Sequence, residues 1–265
     1  MPGAAYYYEP LFSLRPNGTS IETVIIKDPT QSNLIRQRIM GIFNCSWSLL
    51  QTLNKSSFKT VRKRGMSCRR SNPRVIKTIR LRRAGLESWI LQDTSVKIVH
   101  LVRDPRAMIS SISKRPGTWS DTLKNASYQC NRMLDDSKLE DILPHHRFNI
   151  LFSFASTVQS HSCYSCRYIR VRYEDLVDHT NNTLARVYKH VGLPFTKHVQ
   201  NAAFSRTHAE NITGTQGRGY YNTFRSSNFA HDSWKKKLGL NHVKIIEKGC
   251  QEFMDINGYT AYNPS

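Results

Sequence analysis

Apolar and polar positions along the chain follow two alternating patterns. Short runs rich in β-branched and aromatic residues read as strands: "AYYYEPLFSL" from Ala5, "RVIKTIRL" from Arg74, "VKIVHLV" from Val96 and "CRYIRVRYEDL" from Cys166. "VKIVHLV" is apolar on both faces, as in a buried strand of a parallel sheet. Between these runs the spacing changes to that of helices. "NLIRQRIMGIFNC" places Leu34, Ile35, Ile39 and Ile42 or Phe43 together, and "NHVKIIEKGCQEFMDING" places Val243, Ile246, Cys250 and Phe253 on one face. "LESWIL", "SDTLKNASYQCNRMLDD" and "FNILFSFASTVQSH" are further helix candidates. "TNNTLARVYKHVGLP" opens on a polar cap and stops at Gly192 and Pro194, while Gly258 closes the last helix. Helices alternating with β-branched strands predict a three-layer α/β fold with a parallel sheet. No repeat or low-complexity linker breaks the chain, so a single domain over 1–265 is expected.

The hand-over at "VKIVHLVRDPRAMISSISKR" concentrates the chemistry. Asp104 is a good helix cap, and Pro105 suits the first helical position. Arg103 therefore stands at the carboxyl end of a strand, beside a helix N-terminus, where open α/β sheets bind ligands. Such an end favours anions, and a guanidinium adds a planar fork of donors matched to phosphate. Ser111, eight residues beyond Arg103 on the second helical turn, can add a hydroxyl to the same anion. The competing reading pairs Arg103 with a carboxylate and leaves Ser111 as a surface residue.

Charge extends this picture. Against 39 Lys+Arg stand 19 Asp+Glu, a net charge of +20, which calls for a polyanionic partner: nucleic acid, an anionic membrane, a nucleotide or a sulfated or carboxylated glycan. The densest basic segment, Val61–Arg83, contains no acidic residue and suits a solvated loop, a nuclear signal or a polyanion-binding rim. Six cysteines are compatible with disulfides, in pairings that spacing leaves open. Six N-x-S/T triplets begin at Asn17, Asn44, Asn54, Asn125, Asn181 and Asn211. Together they favour a secretory lumen and argue against a nuclear nucleic-acid binder. No signal peptide or bilayer-spanning apolar run is recognisable. His145 and His146 lack accompanying ligands at metal spacing, and no metal is expected.

"LVRDPRAMISS", then "YIRVRYEDLV" and "SWKKKL", with "YYYEPLFSL" upstream, resemble the Golgi carbohydrate sulfotransferases, specifically the galactose/N-acetylglucosamine/N-acetylgalactosamine 6-O-sulfotransferase group. The resemblance runs from about Tyr6 to Tyr259. It implies a P-loop-like three-layer sandwich, with a central parallel sheet flanked by helices, in a Golgi-lumenal enzyme. The implied donor is 3′-phosphoadenosine 5′-phosphosulfate, and the implied acceptor is a glycan such as keratan sulfate, chondroitin or a mucin-type chain, with no nucleic acid. Arg103 and Ser111 would hold the donor's 3′-phosphate. Arg225, in the Gly/Ser/Asn-rich segment before Trp234, would close over the nucleotide, with Arg218 a weaker choice and Trp234 itself a core residue. Glu9, ending an apolar run before Pro10, would be the general base, with Asp28 a second choice. Arg80, in "VIKTIR" with Lys77, would hold donor or acceptor anions or else pair with a carboxylate. Glu174 or Asp175 of "VRYEDL" would orient a basic residue of the donor site, or else cap the strand end or form a structural ion pair.

The family's 5′-phosphosulfate loop and membrane anchor would lie upstream of Tyr6, where this sequence has Met1 to Ala5. The expectation is an N-terminally incomplete domain. Its alternative function is a catalytically weak or inactive glycan- or nucleotide-binding remnant.

Overall fold

The computed structural model describes residues 5–8, 30–46, 68–78, 81, 83, 96–112, 123, 125–138, 167–207 and 231–264. It divides into two compact units, Met1–Asp93 and Thr94–Ser265.

In the first unit, β1 (Ala5–Tyr8) and β2 (Arg74–Lys77) pair in parallel, Ala5 opposite Arg74 and Tyr8 opposite Lys77. Parallel neighbours require a long crossover, and α1 (Thr30–Phe43) lies within it. The helical spacing seen in the sequence is the buried face of α1: Ile35, Ile39 and Ile42 are all enclosed. The chain leaves α1 through Cys45, whose φ of 54° is left-handed. That position is usually glycine's. Here a disulfide to Cys68 holds it, and Tyr7, Ile42 and Ile76 pack around the sulfurs.

The second unit is built on β3 (Ile98–Val102) and β4 (Tyr168–Arg172), also parallel, in register from Ile98 opposite Tyr168 to Val102 opposite Arg172. From β3 the chain enters α2 (Pro105–Ile112) and later α3 (Ala126–Ser137). After β4 come α4 (Tyr173–Asp178), α5 (Thr180–Val191) and α6 (Lys197–Thr207). A short 3-10 turn, Asp232–Trp234, precedes α7 (Leu240–Asn257). Val243, Ile246, Cys250 and Phe253 are buried, as their spacing predicts, in a core shared with Val102, Ile109, Leu134 and Trp234. A disulfide joins Cys130 of α3 to Cys250 of α7 across 120 residues. Gly192 and Gly258 end their helices with φ of 74° and 70°. Leu193 and Tyr259 then donate back to the Tyr188 and Met254 carbonyls.

Two local expectations are corrected, and one helix is additional to them. β3 is not enclosed on both faces, since Val99 and Leu101 are exposed. "CRYIRVRYEDL" alternates throughout, yet the strand stops at Arg172 and Tyr173 begins a helix. Glu174 and Asp175 suit the first turn of that helix, where negative charge is favoured. Helix α6 follows Pro194 after a short break and was not foreseen, because its apolar positions form no clean stripe. "LESWIL" and "FNILFSFASTVQSH" lie outside the described residues. Parallel strands and helices fit the predicted α/β class. Among the described residues no helix is long and apolar enough to cross a membrane.

Candidate functional site

Arg103 follows the last residue of β3 and is half-buried. Its guanidinium lies 4.7 Å from the centre of the Tyr173 ring. Its Nε is buried and has no hydrogen-bond acceptor among the described residues. Among the described residues no carboxylate pairs with it, although pairing is the usual fate of a shielded cation. Ser111 lies on the second turn of α2 with its side chain exposed.

The predicted cap is present. Asp104 Oδ1 accepts the Arg106 N–H at 2.8 Å, so part of the α2 N-terminus is already occupied by a carboxylate of the chain. Any further anion at this strand exit depends on side chains such as Arg103 more than on those first-turn amides. Asp104 is itself tied down, its backbone N–H donating to Glu174 Oε1 at 3.0 Å. Glu174 Oε2 accepts the Tyr259 hydroxyl at 2.9 Å. Burial, reinforced by the Glu174 charge, pushes the Tyr259 phenol well above its usual pKa, so Tyr259 remains a donor. Glu174 thus acts as the cap that "VRYEDL" was expected to supply, joining the exit of β4 to that of β3.

Arg106 has the opposite fate to Arg103. It is 5% exposed and fully engaged. Nε and Nη2 grip Asp104, with Nη2 2.8 Å from Oδ2. Nη1 donates to Glu247 Oε1 at 2.6 Å and to the Thr260 carbonyl at 3.0 Å. Its Cζ lies 4.4 Å from the Trp234 ring centre. Burial opposes the charge, but the two carboxylates outweigh it and raise the guanidinium pKa. The role of Arg106 was missed from sequence. A cation in the first turn of a helix opposes the helix dipole, and that anomaly was the available sign of nearby carboxylates.

Beside this cluster a cavity of about 300 Å³ opens at the carboxyl ends of the strands, lined among others by Arg106, Arg172, Glu174, His231, Asp232 and Tyr262. Its charges are of both signs, and Arg172, which has no carboxylate partner among the described residues, also keeps a buried Nε without an acceptor there. Arg172 stacks 4.4 Å from the Tyr259 ring centre and donates to the Gly258 carbonyl, and His231 stands 3.6 Å from Asp178 and 3.8 Å from Asp232. Such mixed polarity does not select a polyanion, and Arg103 is not among the lining residues.

Glu9, Arg80 and Arg225 lie outside the described residues, as do Asn17, Asn54 and Asn211. Asn44, Asn125 and Asn181 are described, and all three are exposed. Trp234 is buried, as expected of a core residue.

Residues 95–197 match the model of the sulfotransferase family. Carbohydrate sulfotransferase 1 of Danio rerio is 29% identical over 74% of this chain and 46% of its own length. Human carbohydrate sulfotransferase 2 is 29% identical over 74% of this chain and 41% of its own length. Carbohydrate sulfotransferase 4 of Mus musculus is 29% identical over 73% of this chain and 50% of its own length. The chain spans about half the length of these curated relatives.

Proposed function

The chain belongs to the carbohydrate sulfotransferase family, and we propose that it transfers a sulfuryl group from 3′-phosphoadenosine 5′-phosphosulfate to the 6-hydroxyl of a galactose or N-acetylhexosamine residue in a glycan. The acceptor oxygen bonds to sulfur as the bond from sulfur to the 5′-phosphate oxygen breaks, and 3′-phosphoadenosine 5′-phosphate leaves. In this reading Glu9 takes the hydroxyl proton, a contribution of about 10²–10⁴-fold for a general base. Arg103 and Ser111 hold the 3′-phosphate, Arg225 closes over the nucleotide and Arg80 holds donor or acceptor anions. The domain is read as one P-loop-like sandwich over 1–265.

The observation that carries this reading is Arg103: a shielded guanidinium at a strand exit, with a buried Nε that has no acceptor among the described residues. Leaving such a donor unsatisfied is unfavourable, and an incoming phosphate oxygen relieves it. A Golgi-lumenal setting is supported by the Cys45–Cys68 and Cys130–Cys250 disulfides and by the exposed asparagines 44, 125 and 181.

The test compares binding of 3′-phosphoadenosine 5′-phosphate with that of adenosine monophosphate, alongside radiolabelled sulfate transfer to galactose- and N-acetylglucosamine-terminated acceptors. The wild-type chain should prefer the 3′-phosphorylated nucleotide. Arg103→Ala should reduce that preference on the order of 10- to 100-fold, the scale of charge-assisted hydrogen bonds. Equal affinities in the wild type would refute the donor assignment. Binding without transfer would favour the binding-remnant reading over the enzyme.

A further inference from the structure

Two arginines of one tetrapeptide, Arg103-Asp104-Pro105-Arg106, both lie against aromatic rings, yet only one has spent its donors. Arg106, on Trp234, gives its N–H groups to Asp104, Glu247 and the Thr260 carbonyl. Arg103, on Tyr173, has no carboxylate partner among the described residues and keeps a buried Nε without an acceptor. We propose that Tyr173 is the positioning residue for Arg103, a platform that aims the guanidinium at a phosphate monoester while leaving its charge and its in-plane donors free. The inference rests on the donor reading above and adds the residue that makes Arg103 selective.

The geometry supports it at two levels. Leu101 pairs with Val171 and Val102 with Arg172, the last paired residues of the two strands, so Arg103 and Tyr173 leave the sheet from neighbouring positions. The backbone there is also pinned. Glu174, next to Tyr173, accepts the N–H of Asp104, next to Arg103, at 3.0 Å. A second bond from Tyr259 fixes the same carboxylate. The ring is therefore anchored to the backbone that carries the arginine.

Chemically, a guanidinium donates only in its plane, and its faces are weakly hydrated. A carboxylate partner would hold it in place but would consume N–H groups and neutralise the charge. An aromatic ring holds it through the face and consumes neither. The site is then ordered before the ligand arrives, so less freedom is lost on binding.

The experiment is calorimetry on the full 265-residue chain with 3′-phosphoadenosine 5′-phosphate and with adenosine monophosphate, folding being checked by circular dichroism. Tyr173→Leu should weaken the 3′-phosphorylated nucleotide about 3- to 30-fold and leave adenosine monophosphate within about 2-fold. Tyr173→Phe, which keeps the ring, should match the wild type. Tyr173→Leu should add nothing when Arg103 is already Gln, since the platform then has no cation to aim. Equal weakening of both nucleotides, or full additivity in the double variant, would mark Tyr173 as merely structural and overturn the proposal. If the wild type shows no preference for the 3′-phosphate, the donor reading falls and this inference falls with it. If that preference exists and survives Tyr173→Leu, only the positioning role fails. Tyr173→Met, also without a ring, replaces the leucine variant if that does not fold, and failure of both to fold would likewise overturn the proposal.

Discussion

Arg106 lies with its guanidinium 4.4 Å from the centre of the Trp234 ring, and its Nη1 reaches Glu247 on α7 at 2.6 Å. The contact ties the first turn of α2 to the 3-10 turn, the last helix and the tail beyond it. The Glu247 oxygen also accepts the Tyr262 N–H at 2.8 Å, so the tail is held twice.

Replacing Arg106 by Met keeps much of the side-chain bulk but leaves Asp104 and Glu247 shielded without their cation. Breaking a buried pair from one side typically costs about 3–5 kcal/mol. Arg106→Met should therefore lower stability by about that much in urea unfolding at neutral pH. A loss below about 1 kcal/mol would show that the staple is not needed.

The approach of α3 to α7 depends on Gly249. A Cβ built there would stand 2.5 Å from Ser127 Oγ and 3.1 Å from the Ser127 backbone nitrogen. The hydroxyl can rotate away, but the backbone cannot. Overpacking of this kind costs about 1–3 kcal/mol, opposed by about 1 kcal/mol of improved helix propensity. Gly249→Ala should be destabilising on balance, and Ser127→Ala should recover part of the loss. Neutral Gly249→Ala melting would contradict the close packing.

His190 of α5 should make the second unit acid-sensitive. Burial, then the neighbouring Lys97 charge, depress its pKa, and hydrogen bonds with the backbone of Arg167 and Ile98 only partly oppose them. The fold thus favours neutral imidazole, and the unfolded chain binds the extra proton first. The stability associated with neutral His190 is complete above the unfolded pKa of about 6.5. It is lost as pH falls from there toward the depressed folded value. Urea midpoints at pH 7.5 and 5.5 should differ less in His190→Gln than in the wild type. An unchanged difference would exclude His190 as a source of the sensitivity.

Peptide mapping without reduction should recover Cys45–Cys68 and Cys130–Cys250. The two close loops of sequence separation 23 and 120. Chain entropy alone makes the longer crosslink more stabilising by about 1.5 kcal/mol. Replacing Cys130 and Cys250 by Ala should accordingly be the more damaging pair of substitutions, measured by denaturant unfolding. The reverse order would mean that native packing around the sulfurs outweighs loop length.

What the sequence determined by itself was local. The strand exit at Arg103, the Asp104 cap and the helix stops at Gly192 and Gly258 follow from a few neighbouring residues and their allowed backbone angles. So does the apolar face of α7, which needs only the helical period. The sulfotransferase likeness was legible for the same reason, because its motifs are short and contiguous.

Tertiary structure alone decided the rest. Arg106 finds partners at Glu247 and Thr260, far along the chain, and one cysteine pair spans 120 residues. Arg103 and Arg106 look alike in sequence. The neighbouring exits of the two strands bring Tyr173 against Arg103, while the fold surrounds Arg106 with Asp104, Glu247 and Trp234. The strand-to-helix switch at Tyr173 belongs to the same class, since Glu174 is held by Asp104 and Tyr259 from elsewhere in the chain. Local pattern carries the identity of such residues but not the distant surfaces that satisfy their charges and hydrogen bonds, and those surfaces exist only once the elements have packed.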